Sequence, residues 1–195
     1  MLLYVIRHGQ TDYNRELRLQ GARDIPLNDT GRGQARQNGR TLASTALEWP
    51  LDRFDWVSSP LARTRETMEL VRENAGLDPR DYRTDALLTE LSFGDWEGQT
   101  LEEVGQHSGQ LIKAREQDKW RFRPPGAKAE SYAMLAERTD RFLSKVTQPT
   151  ICVAHGGVIR TLFNRIGKVA DDDAALLDIP QDRILRIADS EIGWI

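Results

Sequence analysis

Met1-Leu-Leu-Tyr-Val-Ile6 runs straight into Arg7-His8-Gly9, and far downstream Thr150-Ile-Cys-Val-Ala154 runs into His155-Gly156-Gly157. Short apolar runs bounded by glycine read as buried strands of a parallel sheet covered on both faces. In such sheets ligands bind in the crevice beyond the carboxyl ends of the strands. Both imidazoles are therefore expected in one cleft, with Arg7 beside them as fixed positive charge, an arrangement suited to holding and attacking a phosphate.

The elements around these two runs decide the fold class. Residues 54–59 read as a strand stopped by Pro60, and 62–74 as a helix closing near Gly76. Thr30 is the expected N-cap of a helix reaching Leu47. Residues 84–91 read as extended, 100–120 as an amphipathic helix, and 130–146 and 157–166 as helices flanking the second histidine strand. Residues 183–187 and 191–195 close the chain as a hairpin or a pair of edge strands. This alternation predicts an α/β fold: a three-layer α/β/α sandwich with a mostly parallel central sheet and a small helical cap insertion at about 99–131.

Composition narrows the function classes. A chain of 195 residues, 39% apolar and 29% charged, is expected to fold as a single domain over residues 1–195 without staples. Its net charge of −3 argues against nucleic acid and membrane surfaces as partners, since both select a basic excess. Cys152 is the one cysteine, so no internal disulfide forms and a cytoplasmic location is expected. No apolar run approaches the ~20 residues of a membrane span. A cleavable leader is not expected, because the first strand and its chemistry begin at once. Of the 27 basic residues, 22 are arginine and five lysine; only arginines at strand ends are given functional weight, the surface ones being put down to codon usage.

The stretch Arg7-His8-Gly9-Gln10-Thr11-Asp12-Tyr13-Asn14 resembles the R-H-G-x-T-x-x-N signature of the histidine phosphatase superfamily, also called phosphoglycerate mutase-like. Further blocks follow in the family's order. They are Gln20-Gly21 with Asp24 and Pro26-Leu27; Thr30-Gly31 with Gln34-Ala35; Ser58-Ser-Pro-Leu-Ala-Arg63-Thr64 with Thr67; Leu88-Thr-Glu90 with Phe93-Gly94 and Trp96-Glu97-Gly98; and Val153-Ala-His155-Gly156-Gly157 with Arg160. The resemblance covers residues 2–165.

Its implications agree with the chemistry of the side chains. Phosphoryl transfer is mostly positioning and charge stabilisation. Neutral imidazole is a capable nucleophile near pH 7 and needs no metal. The resemblance makes His8 that nucleophile, forming a phosphohistidine, with its second ring nitrogen expected on a backbone carbonyl. Arg7 and Arg63 match the arginines that clamp the phosphoryl group, with His155 as a third donor. Thr11 and Asn14 are implied to bond phosphoryl oxygens, Gln20 and Gly21 to contact substrate, and Gly156 to let the backbone approach the ligand. Glu90 matches the proton donor to the leaving oxygen and the later base for water. Glu97 is the competing carboxylate, read as structural or pocket-shaping, and Gly157 as the start of a helix.

Blander readings go to His107 (surface), Cys152 (core) and residues 171–173 (acidic first turn of a helix). Trp96 is placed near the site. Neither a cofactor nor a metal is expected. The partner is a small-molecule phosphate ester, with a homodimer through C-terminal edge strands as a further expectation. Within the family, mutases carry a longer basic insertion that grips the second anionic group of a sugar acid. Here only residues 99–125 separate Gly98 from the Pro-Gly pair, which resembles the phosphatase branch, α-ribazole phosphatase and broad-specificity phosphatases included. Lys113, Arg115, Lys119, Arg121 and Arg123 in that stretch remain able to read a second anion. Residues 127–129 depart from the branch's P-P-G-G-E-S pattern and are expected to bring Lys128 near substrate. A phosphoglycerate mutase, a catalytically silent phosphate binder and a phosphoprotein phosphatase are the alternatives.

Overall fold

β1 (Leu2–Arg7) sends Leu3 and Val5 into one core and Tyr4 and Ile6 into another, all four buried. A strand apolar on both faces belongs inside a sheet covered on both sides, and the computed structural model, which describes residues 1–189 and 191–195, has that arrangement. β1 pairs in parallel with β4 (Thr150–Ala154), β4 with β2 (Asp55–Ser58), and β2 with the two-residue β3 (Arg83–Thr84). On the other side of β1 lies β5 (Ile184–Ala188), antiparallel to it and to β6 (Glu191–Trp194), giving the order β3-β2-β4-β1-β5-β6.

α2 (Asp29–Ser44) and α3 (Ala62–Asn74) cover the Tyr4 face, where Leu42, Met68 and Val71 share a core with Trp56, Ile151 and Val153. α5 (Tyr132–Leu143), α6 (Gly156–Arg165) and α7 (Asp171–Leu176) cover the opposite face with Leu135, Phe142, Ile159 and Leu162. Burial of one such leucine contributes about 1.5–3 kcal/mol, so the sheet is held mainly by these two cores. The cap is α4 (Leu101–Gln117), started by a capping box between Thr100 and Glu103 and kinked at Ser108, followed by an irregular return. Aromatic pairs hold that return down: Trp96 stacks on Phe122 with centroids 5.4 Å apart, and Trp120 on Tyr132 at 5.5 Å.

Several boundaries differ from the expectation. The N-cap of α2 is Asn28 rather than Thr30: its Oδ1 accepts the Gly31 N–H at 2.9 Å while its Nδ2 donates to Gln10, a tertiary contact invisible to local pattern. Residues 84–91 are not one strand, because the Asp85 side chain accepts from the Leu87 N–H and starts a tight 3₁₀ turn, Ala86–Leu88. A short helix that the sequence did not signal, α1 (Asp12–Arg15), follows the first histidine. Of the two C-terminal strands only β6 lies at the sheet edge; β5 is paired on both sides. Among the described residues no helix is long and apolar enough to cross a membrane.

Candidate active site

Because β1 and β4 are parallel neighbours, the residues just past their ends meet. The His8 and His155 rings stand 5.2 Å apart at 64°. His8 Nδ1–H donates to Gly9 O at 2.8 Å, which leaves Nε2 as the nitrogen carrying the lone pair. Arg63 Nε–H points at that lone pair from 3.3 Å. Burial first, then the charges of Arg63 and Arg7, hold the His8 pKa well below its ordinary 6.5, so the ring is neutral at pH 7.

Arg63, in the first turn of α3, is wholly buried. Its Nη1–H donates to Arg23 O at 2.6 Å, and its Nη2–H groups to Gly21 O at 2.9 Å and His155 Nδ1 at 3.2 Å. Gly21 sits at φ +54°, where a Cβ would come 2.0 Å from Glu97 Oε1. Glu97 Oε1 accepts from the Ala22 N–H, the Ser92 hydroxyl and the Phe93 N–H at 3.0–3.2 Å, so this carboxylate shapes the loop that aims Gly21 O at Arg63. Burial lowers the Arg63 pKa, yet a guanidinium stays charged, and its partners here are carbonyls and imidazoles rather than a carboxylate.

Arg7 donates through Nη1 to Ile179 O at 2.5 Å, while its buried Nε has no partner. Burial and the neighbouring Arg160 push its pKa down to about 10, still cationic at neutral pH. A Cβ on Gly156 would lie 3.5 Å from Arg7 Nε and 3.4 Å from Arg160 Nη1. Two guanidinium groups thus flank Gly156 within van der Waals reach of where a side chain would begin. His155 engages both nitrogens inside the protein: Nδ1 accepts from Arg63, and Nε2–H donates to Ser59 Oγ at 2.8 Å. Toward Arg63 it therefore serves as an acceptor.

Glu90 is seated by backbone. Its Oε1 accepts from the Leu91 N–H at 2.9 Å and from the Gly157 N–H at 3.1 Å. Gly157 is therefore more than a helix start, since a Cβ there would meet Glu90 Oε1 at 2.3 Å. Arg138, on α5, holds the preceding loop by donating to Leu87 O at 2.9 Å and Thr89 O at 2.6 Å. Thr11 is buried and caps α1, its N–H and hydroxyl both reaching Asn14 Oδ1 at 3.1 Å. Gln20 is buried with its Oε1 lacking a partner.

Arg7, Asn14, Arg160 and Gln181 line a cleft of about 730 Å³, walled on one side by Tyr13, Leu17 and Leu101. The five basic residues of the cap divide. Lys113 is exposed, Arg121 pairs with Asp171 at 2.8 Å, and Arg123 donates to Ala129 O at 2.7 Å. Arg115 and Lys119 instead turn inward toward Arg160, whose Nη1 reaches the Tyr132 hydroxyl at 3.3 Å. Burial, then Arg115 and Arg160, lower Lys119 to about 8. Arg115 enters no ion pair among the described residues. Lys128 is exposed and lines a different cleft with Arg23, Asp95 and Glu97. His107 is exposed, Cys152 is buried with its thiol pKa raised by desolvation, and Asp171–Asp173 form the first turn of α7. Arg138 and Gln181 carried no functional signal in the sequence, and Ser59 and Gly157 lay in the matched blocks without a catalytic role; their contacts span 48 to 173 residues.

Residues 3–193 match the family described as "Histidine phosphatase superfamily (branch 1)". The chain is 34% identical over 176 residues to an uncharacterized phosphatase, PhoE, of Bacillus subtilis, covering 83% of this chain and 75% of that one. It is 31% identical over 173 residues to the adenosylcobalamin/alpha-ribazole phosphatase of Salmonella typhimurium, covering 85% and 79%. Relatives named as 2,3-bisphosphoglycerate-dependent phosphoglycerate mutases also match. In three dimensions it is similar to a mycobacterial glucosyl-3-phosphoglycerate phosphatase bound to VO3, with a TM-score of 0.78, 28% identity, and coverage of 100% of this chain and 96% of that one.

Proposed function

The chain belongs to the histidine phosphatase superfamily, and from that premise we propose that it hydrolyses a small phosphomonoester through a phosphohistidine on His8, without a metal ion. The observation that carries this reading is the tautomer of His8: Gly9 O holds Nδ1–H, so a neutral Nε2 faces the buried Arg63. Arg7 and Arg63 supply the charge that a metal would otherwise bring to the phosphoryl oxygens. Asn14 and the Gly156 backbone add neutral donors.

In the first half-reaction His8 Nε2 attacks phosphorus, the bond to the leaving oxygen breaks, and Glu90 gives that oxygen its proton. A phosphoryl oxygen takes over the Arg63 Nε–H that now covers the lone pair. In the second, water loses a proton to Glu90 and attacks the phosphohistidine, releasing inorganic phosphate and restoring both residues. His155, kept neutral by burial, orients Arg63 by accepting its Nη2–H at Nδ1 while Nε2–H stays on Ser59 Oγ.

The short cap supports hydrolysis over isomerisation, because a mutase must hold its sugar acid and exclude water until the phosphoryl group is returned. Arg115, Lys119 and Arg160 support a leaving group with a second anionic group. Relatives named for α-ribazole and for glucosyl-3-phosphoglycerate resemble the chain comparably, so the choice of ester lies with these cap residues. The reading is tested by p-nitrophenol release from p-nitrophenyl phosphate in chelator. The wild type turns over and His8→Ala loses about 10⁴-fold or more in kcat. No release from a broad set of monoesters would sink the hydrolase reading. A positive isomerisation assay primed with bisphosphoglycerate would then assign a mutase, and a negative one a silent binder.

A further inference from the structure

The segment joining α7 to β5 carries none of the motif residues, yet it ties the floor of the pocket together. The carbonyls of Ala175, Leu177 and Ile179 accept from Lys119 Nζ at 2.6 Å, Arg160 Nε at 2.8 Å and Arg7 Nη1 at 2.5 Å. Three carbonyls spaced two residues apart, the first in the last turn of α7 and the other two in the strap beyond it, therefore hold three cations from distant parts of the chain. Two residues on, Gln181 Nε2 donates to the His8 carbonyl at 2.9 Å and to Asn14 Oδ1 at 3.3 Å. The Gln181 carbonyl is itself held by the buried Asn38 Nδ2 at 3.0 Å.

The orientation of both amides follows from their partners. The His8 carbonyl can only accept, so the Gln181 atom facing it is the nitrogen. The Thr11 N–H can only donate, so the Asn14 atom facing it is the oxygen. Three donors then converge on Asn14 Oδ1, from the Thr11 N–H, the Thr11 hydroxyl and Gln181 Nε2. With the oxygen committed, the end that Asn14 can offer an anion in the cleft is the donor Nδ2.

We propose that Gln181 is a positioning residue for phosphoryl binding: its amide nitrogen fixes Asn14 with Nδ2 toward the phosphoryl oxygens and holds the backbone of His8. The inference rests on the reading of Asn14 as a phosphoryl ligand. Gln181 itself touches no reacting atom and acts through its neighbours.

Two near-isosteric variants test it. Gln181→Met removes the donors without adding charge. Gln181→Glu places a carboxylate opposite two oxygen acceptors, and only its protonated form can donate. Both are checked for an unchanged melting temperature, then measured for kcat, KM and orthovanadate binding by calorimetry between pH 5 and 8. Gln181→Met is expected to weaken vanadate binding and raise KM about tenfold, with kcat within about threefold. Gln181→Glu is expected to fall about 100-fold in kcat/KM at pH 8 and to recover to within about tenfold of wild type at pH 5, as its carboxyl takes up a proton. Equal losses in both variants at every pH, or vanadate affinities within twofold of wild type, would overturn the proposal. A wild type that binds vanadate but turns over no ester defeats the hydrolase reading while the vanadate comparison still decides the role of Gln181. A wild type that does neither overturns both.

Discussion

The pocket at the strand ends and the cap above it are built on opposite terms. In the pocket His8, Arg63 and His155 are buried, and each makes hydrogen bonds to residues distant in sequence. In the cap Lys113, Arg121 and Lys128 are exposed, and the Arg121–Asp118 pair at 3.8 Å is one that solvent screens. A buried polar contact left unmade costs about 1–3 kcal/mol, whereas an exposed ion pair contributes about 0–1 kcal/mol. The pocket therefore tolerates few substitutions without loss of chemistry, and the cap is free to vary the ester that is accepted.

The largest expected difference between the regions is at Arg63. Arg63→Lys keeps the charge but cannot reach Gly21 O, Arg23 O and both imidazoles at once. It should lower kcat/KM by about 10²–10³-fold, measured on p-nitrophenyl phosphate. A loss below fivefold would mean that point charge alone suffices.

A smaller effect separates the regions by pH. Burial depresses both His8 and His155, so below about 6.5 the unfolded chain takes up protons that the folded pocket refuses. Stability is present above that pH and is lost as pH falls toward the folded values, by roughly 1.4 kcal/mol per pH unit for each ring. Urea unfolding at pH 7 and 5.5 should show this slope, and His8→Asn should remove about half of it. An unchanged slope in the variant would place the linkage elsewhere.

The smallest effects belong to the cap. Lys119→Met should raise KM about three- to tenfold for an aryl phosphate bearing a carboxylate and leave p-nitrophenyl phosphate within twofold. Arg121→Ala should shift stability by less than about 0.5 kcal/mol. Equal KM changes on both esters would remove Lys119 from recognition of a second anion.

What was legible beforehand follows the same division. The two histidine strands, the helix bearing Arg63 and the acidic first turn of α7 could be read because apolar runs, prolines and capping signals act within a few residues. The N-cap of α2 and the supposed strand over residues 84–91 were misread although both deciding bonds are local, Asn28 accepting from the Gly31 N–H and Asp85 from the Leu87 N–H. Neighbouring polar side chains compete for such a cap, and for α2 the tertiary bond from Asn28 to Gln10 adds to the choice. Gly157 looked like a helix start alone, and the structure makes it a seat for Glu90; Glu97, read as structural or pocket-shaping, holds the loop that aims Gly21.

By itself the sequence determined an α/β sandwich, a pair of strand-end histidines and the arginines able to meet a phosphate, since side-chain chemistry and backbone preference are written residue by residue. Only the tertiary structure decided which nitrogen of His8 faces the pocket, that His155 accepts from Arg63, and that Gly157 and Gln181 take part. Those outcomes depend on groups 55 to 173 residues apart being brought within hydrogen-bond range by the packing of β1, β4 and the strap after α7.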